Sequence, residues 1–418
     1  GDDDVYHVVT YAPSEWSYAV LDSLTITRGM ATGNANQDKN VGGGVFNKTG
    51  TLFINNCFIV DNGADDNGGG LYSDDGWLSM TNCIIEDNVI VDVQGGGPGP
   101  LEDWGGNGGG ITLKNSAGSH LIDCLFIDNY SSYGGAVYSS DSSCYVSGSD
   151  FINNRALLGG GAIRIDSGML EITNSNFENN RTTSLILGEG AGGAIYAKQC
   201  NTTIANSEFR NNQSSGYGGG VYFYQNSIGW TSFINACIFE LNTAYRGSAF
   251  YASDTASNNV CIANSLIVSN SGPAVHTSNN SIARITNCTI ASNVDMFTSA
   301  AVTGIASIEN SIIWGNVGLF GRSNIFNQIN GTITLSNSIV DLWNETYTFP
   351  NQYVSSNDPL FRSKKGDDGV AGTGDEDFRL LPTSPAIDEG WDGSHDYPSV
   401  SEDLDGFNRF EDDPFTSN

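Results

Sequence analysis

The residues best suited to chemistry in this chain are carboxylates, and they occur in two settings. Asp367, Asp368, Asp375 and Asp377, joined by Glu376, lie in a Gly-rich stretch, and Asp403 and Asp405 precede Gly406. Oxygen-rich loops punctuated by glycine suit a hard cation such as calcium, although neither stretch has the full ligand spacing of an EF-hand loop. These six aspartates are the candidate metal ligands, and calcium is the one cofactor the sequence supports. Elsewhere carboxylates recur in pairs, Asp61 with Asp87 and Asp74 with Asp75. Glycoside hydrolysis needs two such groups facing each other across the sugar. A lyase acting on an acidic polysaccharide needs a base and cations for the uronate, and the 17 Lys and Arg form no cluster. No catalytic residue is assigned.

Aromatic residues form a second candidate site. Tyr72, Tyr138, Tyr196, Tyr222 and Tyr251, with Phe46, recur beside an apolar residue after a glycine-rich segment, and Thr112, Arg164 and His276 interrupt the series. If that segment is a strand, the rings form an outward column. Such a column serves as a sugar-stacking platform, as a lateral contact strip, or simply as cross-strand stacking on a solvated sheet. Trp104 stands in the longest insertion, 89–107, with Asp92, Glu102 and Asp103. That loop reads either as a carbohydrate or calcium site or as a solvated polar excursion.

Positioning these groups falls to a repeat. A segment of the form Asn, Ser or Cys, any residue, Ile or Phe, two residues, then Asn recurs as NCFIVDN (56–62), NCIIEDN (82–88), NSNFENN (174–180), NSEFRNN (206–212), NSLIVSN (264–270), NCTIASN (287–293) and NSIIWGN (310–316). Looser copies start at Asp22, Asp123, Gly148, Ala236 and Asn337, making twelve. Glycine-rich segments such as GGGVF (42–46) and GGGLY (68–72) alternate with the early copies. Spacings near 25 residues suit one turn of a three-sided parallel β-solenoid. The predicted inward columns are Ile54, Met80, Leu121 and their equivalents, then Cys57 with Ile59 or Ser175 with Phe177, then Val45, Leu71 and Val137. Twelve coils would give a rod of roughly 58 Å at about 4.8 Å per coil.

The recurring Asn is expected to form a coil-to-coil ladder at a tight turn, where Asn tolerates the left-handed conformation. Among the eight Cys, Cys57, Cys83, Cys124, Cys237 and Cys288 share one inward column with Ser, which favours free thiols used as small fillers. Cys57 and Cys83 fall on neighbouring coils, so one disulfide between them stays open. The four scattered His and the absence of a C-x-x-C spacing give no support to zinc or haem.

Composition agrees with an all-β chain rich in turns: 52 Gly, 46 Ser, 45 Asn and 33 Asp among 418 residues. A net charge of −30 argues against nucleic acid and against an anionic membrane surface. No apolar run approaches the roughly 18–20 residues that span a bilayer. Because the chain starts at Gly1 without a signal sequence, an export signal is expected to have been removed. The last 62 residues, 357–418, hold 16 acidic and 5 basic side chains, a net of −11, and half of the ten Pro. We read 1–356 as the solenoid and 357–418 as an irregular acidic segment packing on the last coils.

The GGGVY and NS-x-F-x-x-N coils resemble the polymorphic outer-membrane-protein-type repeats of right-handed parallel β-helix surface proteins. The downstream pieces NSIIWGN (310–316), DPLF (358–361), DFRLLPTSPAID (377–388) and DLDGFNR (403–409) resemble the choice-of-anchor class of such proteins. The resemblance implies a secreted or cell-surface protein and no particular activity. The expected function is therefore a non-enzymatic structural or adhesive rod whose partners are copies of itself, head to tail or side by side, or surface glycans. The alternative is a polysaccharide-binding or polysaccharide-degrading β-helix.

Overall fold

A computed structural model of the chain describes residues 6–15, 17–33, 38–91, 105–116, 118–184, 190–225, 232–254, 259–295, 301–318, 328–342, 352–369 and 376–386. Trp104, Asp375, Asp403 and Asp405 lie outside these residues. The described strands form a parallel β-solenoid. One coil starts at Val137 and its equivalent in the next is Ile163, 26 residues on, paired in parallel along an 11-residue strand. All twelve copies of the motif fall on one ladder. It runs from Thr25–Thr27 through Phe58–Val60, Ile84–Glu86 and Asn176–Glu178 to Ile312–Trp314, with its last rung inside Ile329–Val340.

The columns assigned to separate faces stand on separate strands in coils such as Val45–Lys48 with Thr51–Asn55 and Leu71–Asp74 with Trp77–Thr81. Farther along the chain, Val137–Ser147, Ile163–Thr173 and Ile195–Ala205 each carry both columns on one strand. At the midpoint Asp141, Ser167 and Gln199 take positive φ, so the chain kinks without breaking the ladder. The third side is a ladder of short strands that includes Gly63–Ala64, Val89–Ile90 and Arg155–Gly159 and leads into the glycine corner. Gly160 shows why glycine stands at that corner: its φ is +67°, and a Cβ there would lie 2.3 Å from the Ile163 carbonyl oxygen.

Two stacks fill the interior. Phe126, Phe151, Phe177, Phe209 and Phe239 lie face to face at 4.6–4.8 Å with interplanar angles of 1–6°. Ile26, Ile59 and Ile85 continue that column on one side and Ile267, Ile290 and Ile313 on the other. The second stack is the Asn ladder. Asn154 is fully buried; its Nδ2 donates to Asn180 Oδ1 (3.1 Å) and to the Phe126 carbonyl (2.9 Å). Its Oδ1 accepts from both the backbone N and the Nδ2 of Asn129 (3.1 and 3.0 Å). The same pattern extends from Asn62 to Asn316, where Gln328 Oε1 closes it.

The ladder Asn does not itself adopt the left-handed conformation, contrary to expectation. Positive φ belongs to the residue before it (Asp61, Asp87, Asp128, Asn153, Asn179, Asn211) and to the first residue of the motif, such as Asn56 or Asn174. A left-handed residue ahead of the ladder turns the next side chain inward. The Ser/Cys column likewise does more than fill space. Ser149 Oγ accepts from Cys124 N (3.0 Å), and the thiols of Cys57, Cys83, Cys124, Cys237 and Cys288 donate to the carbonyl two residues earlier at 3.1–3.3 Å. None of the eight Cys is joined in a disulfide, Cys57 and Cys83 included. Burial pushes the thiols of Cys144, Cys200 and Cys237 up to about 12, which keeps them protonated and unreactive.

Near the C-terminal end, Phe361–Ser363 and Asp377–Leu380 pair antiparallel. Phe361, Phe378 and Leu380 from this pair cover Leu266, Val268, Ala291, Ile312 and Trp314 on the outside of the motif ladder.

Replacing Asn154 with Ala removes four buried hydrogen bonds, to Asn129 N, Asn129 Nδ2, Asn180 Oδ1 and the Phe126 carbonyl, and leaves the Asn129 backbone N–H without its acceptor. A total loss of roughly 3–5 kcal/mol is expected in guanidinium unfolding. Asn153→Gly, one residue away but exposed and at positive φ, is expected to change stability by no more than about 0.5 kcal/mol.

Candidate functional site

The tyrosine series lies on one ladder as the spacing implied. Phe46, Tyr72, Thr112, Tyr138, Arg164, Tyr196, Tyr222, Tyr251 and His276 are consecutive partners. The strip is not bathed in solvent, however. Tyr72, Tyr222 and Tyr251 are 6–8% exposed, and Tyr138 and Tyr196 are half-buried. The residue just before each glycine corner lies across it: Val41 packs on Phe46 and Tyr72, Ala191 on Tyr222 and Tyr251, and Tyr217 stacks on Tyr251 at 4.8 Å. The sharp reversal at the glycines brings that residue back over the outward column, whose member in the same coil stands five positions later, as Phe46 after Val41 and Tyr222 after Tyr217.

Polar ends of the strip are paired as well. The Tyr138 and Tyr72 hydroxyls donate to Asp166 and Asp74 at 3.2 Å, and the Tyr251 hydroxyl donates to Ser278 Oγ at 2.8 Å. Burial, reinforced by those carboxylates, raises the Tyr72 and Tyr138 phenols well above their ordinary range, and burial pushes Tyr196 up to about 12. Arg164 fills its gap as a flat cation. It lies 4.1 Å from the Tyr133 ring and 4.5 Å from the Tyr196 ring, and holds Asp166 through two 3.0 Å bonds. Stacking a sugar needs a free ring face, and in this strip neighbouring side chains occupy the faces. The arrangement is a seam that ties successive coils together.

Of the proposed metal ligands, Asp367 and Asp368 are exposed on the turn after Phe361–Ser363. Asp377 is engaged by Arg379, which donates to both carboxylate oxygens at 2.7 and 2.8 Å and holds that carboxyl below its ordinary range. Among the described residues no three His, Cys, Asp or Glu side chains converge on a common point that would hold a metal.

Asp61, Asp87 and Asp128 stand in a single row at the left-handed turn, on successive coils. Burial and then its neighbours Asp128 and Asp61 raise the Asp87 carboxyl. A row on one edge does not bracket a glycosidic bond as opposed carboxylates do. Farther along, the same corner opens into a shallow polar groove lined by Asp128, Asn153, Asn179, Arg181, Asn211, Gln213 and Thr243. Asp74 accepts from Tyr72 and from Asn115 Nδ2 at 3.0 Å.

A different aromatic row escaped the reading of the sequence. Tyr18, Phe53, Trp77, His120 and Tyr145 face outward on the long side, one on each of five successive coils, with ring centroids 4.8–6.4 Å apart. Phe53, His120 and Tyr145 immediately precede the inward residues Ile54, Leu121 and Val146. The available signal was therefore the residue before each inward position.

The repeat described as Chlamydia polymorphic membrane protein repeat matches residues 174–198 and 206–224, two stretches that carry Phe177, Asn180, Phe209, Asn212, Tyr196 and Tyr222. Among solved structures, the chain is similar to the A-module of mannuronan C-5 epimerase AlgE6 from Azotobacter vinelandii. The identity is 10%, the alignment covers 81% of this chain and 89% of that one, and the TM-score is 0.22. So distant a likeness bears on neither activity nor substrate. No curated protein gives a significant match.

His276 extends the tyrosine seam, stacked on Tyr251 at 5.0 Å and hydrogen-bonded to Thr303. Burial, with a smaller contribution from the Arg246 charge, lowers it from 6.5 to about 4. The unfolded chain takes up this proton below pH 6.5 and the folded chain only near pH 4, so the contribution of neutral His276 is lost as pH falls between those values. Relative to His276→Phe, the wild type should lose roughly 3 kcal/mol between pH 7 and pH 4, measured by chemical denaturation at each pH.

Proposed function

We propose that this chain is a surface-displayed β-solenoid whose work is structural or adhesive. The observation that carries the reading is the match of two stretches to a polymorphic membrane protein repeat, on the residues that build both buried stacks. A wall whose inward positions are committed to closure leaves only its outer faces for function, as suits a rod presented to its surroundings. The acidic surface, with a net charge of −30, agrees with display in a salty medium rather than with contact to polyanions. In the finer form of the reading, 357–418 acts as a choice-of-anchor-type segment. Its supporting contacts are those of Phe361, Phe378 and Leu380 with the outside of the motif ladder. The rod then engages copies of itself or surface glycans.

Labelling of intact producing cells with an antibody to the solenoid tests the surface assignment. Staining without permeabilisation, abolished by brief external protease treatment, is the expected result. Signal that appears only after lysis would overturn the assignment.

A further inference from the structure

The two outward aromatic rows have opposite fates. In the tyrosine seam the ring faces are covered, whereas the row on the long side is open. Tyr18 is 72% exposed, and Phe53, Trp77, His120 and Tyr145 are half-buried. Tyr18 meets Phe53 at 84°, Phe53 meets Trp77 at 67°, and Trp77 meets His120 at 56°. When one ring presents its edge to the face of the next, each contact occupies only one of the two faces involved. His120 and Tyr145 stack at 14° and 4.8 Å, so the flat apolar surface offered to solvent lies along the tilted stretch from Tyr18 to Trp77, with the half-buried Tyr145 at the end of the row.

Beside the rings runs a polar column on the same strands. Asp22, Asn55, Thr81, Ile122 and Ser147 are its consecutive members, two residues beyond Phe53, His120 and Tyr145 and four beyond Tyr18 and Trp77. The four polar members are exposed or half-buried. A carboxylate, an amide and two hydroxyls supply both acceptors and donors to hydroxyl groups lying alongside an apolar ring face. Asp22 and the neighbouring Asp123 make the border acidic, within a chain of net charge −30, so a polyanion is repelled.

We propose that the row Tyr18–Phe53–Trp77–His120–Tyr145 is a binding site for a neutral polysaccharide chain. Sugar rings rest their C–H faces on the aromatic residues, and their hydroxyls pair with the polar row. A linear ligand with a repeating ring matches a linear site with one ring per coil. This inference goes beyond the surface-rod reading and is tested apart from it, because binding by purified protein does not depend on where the chain is displayed.

Native affinity electrophoresis in gels containing hydroxyethylcellulose, laminarin or galactomannan, with polygalacturonate as the acidic control, tests it on the full chain. At least one neutral polysaccharide is expected to retard the wild type. Trp77→Ala and Tyr145→Ala should each weaken the affinity about tenfold. Phe233→Ala, on the same face but outside the row and 38% exposed, should migrate as the wild type does. Circular dichroism checks the fold of each variant. If Trp77→Ala is misfolded, Tyr145→Ala and the still more exposed Tyr18→Ala decide the outcome. The proposal is overturned if no neutral polysaccharide retards the wild type, if polygalacturonate alone does so, or if the aromatic variants keep full retardation. Sedimentation showing a dimer that Trp77→Ala converts to a monomer, with no retardation in any gel, would identify the row as a contact between copies and equally overturn it.

Discussion

Everything in this solenoid depends on the hydrogen-bond closure of the buried Asn ladder. An interior amide such as that of Asn154 donates twice and accepts twice, to groups on the adjacent coils, in a place from which water is excluded; Asn62 and Asn270 add a bond to the carbonyl two residues earlier. An unpaired amide there costs free energy that a repeated structure would lose many times over. The ladder therefore sets one point of every coil in three dimensions, whatever the length of chain between points. Successive ladder residues are 26 apart for Asn62 and Asn88, 41 for Asn88 and Asn129, and 23 for Asn270 and Asn293, yet the contact distances stay at 2.9–3.1 Å. Additional chain has to leave the wall as loops, which is how such a molecule accommodates insertions without losing its core.

The interior and exterior aromatic rows follow from the same coil-to-coil registration but end in different environments. Parallel strands stack identical positions directly above one another, so a Phe at the ladder position recurs as a column of parallel rings. On the outside, the fate of a row depends on what lies next to it. Beside the glycine corner the chain folds back and covers the tyrosines, and Arg164 joins the stack without breaking it. Along the open stretch of the long face no corner residue among the described residues folds back, and Tyr18, Phe53, Trp77, His120 and Tyr145 stay exposed or half-buried. Binding chemistry based on ring stacking belongs to the second row and structural cohesion to the first.

Much of the fold was legible in the sequence because a repeat gives the same answer many times. The twelve motif copies, the inward Ile and Phe column, the shared Ser/Cys column and the glycine corner all stand where the periodicity placed them. Details of local conformation were less accessible. The left-handed residue is the one before each ladder Asn, because that conformation aims the next side chain inward. The Ser and Cys side chains bind backbone groups at the turn as well as filling space. The aromatic row of the long face was hidden because its members differ in type and are interrupted by Val20 and Ser79. A site made of unlike residues produces no periodic signal.

What the sequence determined by itself was the architecture: the alternation of side chains within a coil, the length of a coil and the position of the ladder, since each is written locally and repeated. What only the tertiary structure decided was exposure. Two rows of rings stand at outward positions of the repeat, and nothing local distinguishes the covered one from the open one. The difference arises where the corner residues Val41, Ala191 and Tyr217 come to rest, and that depends on how the backbone reverses at the glycines in three dimensions.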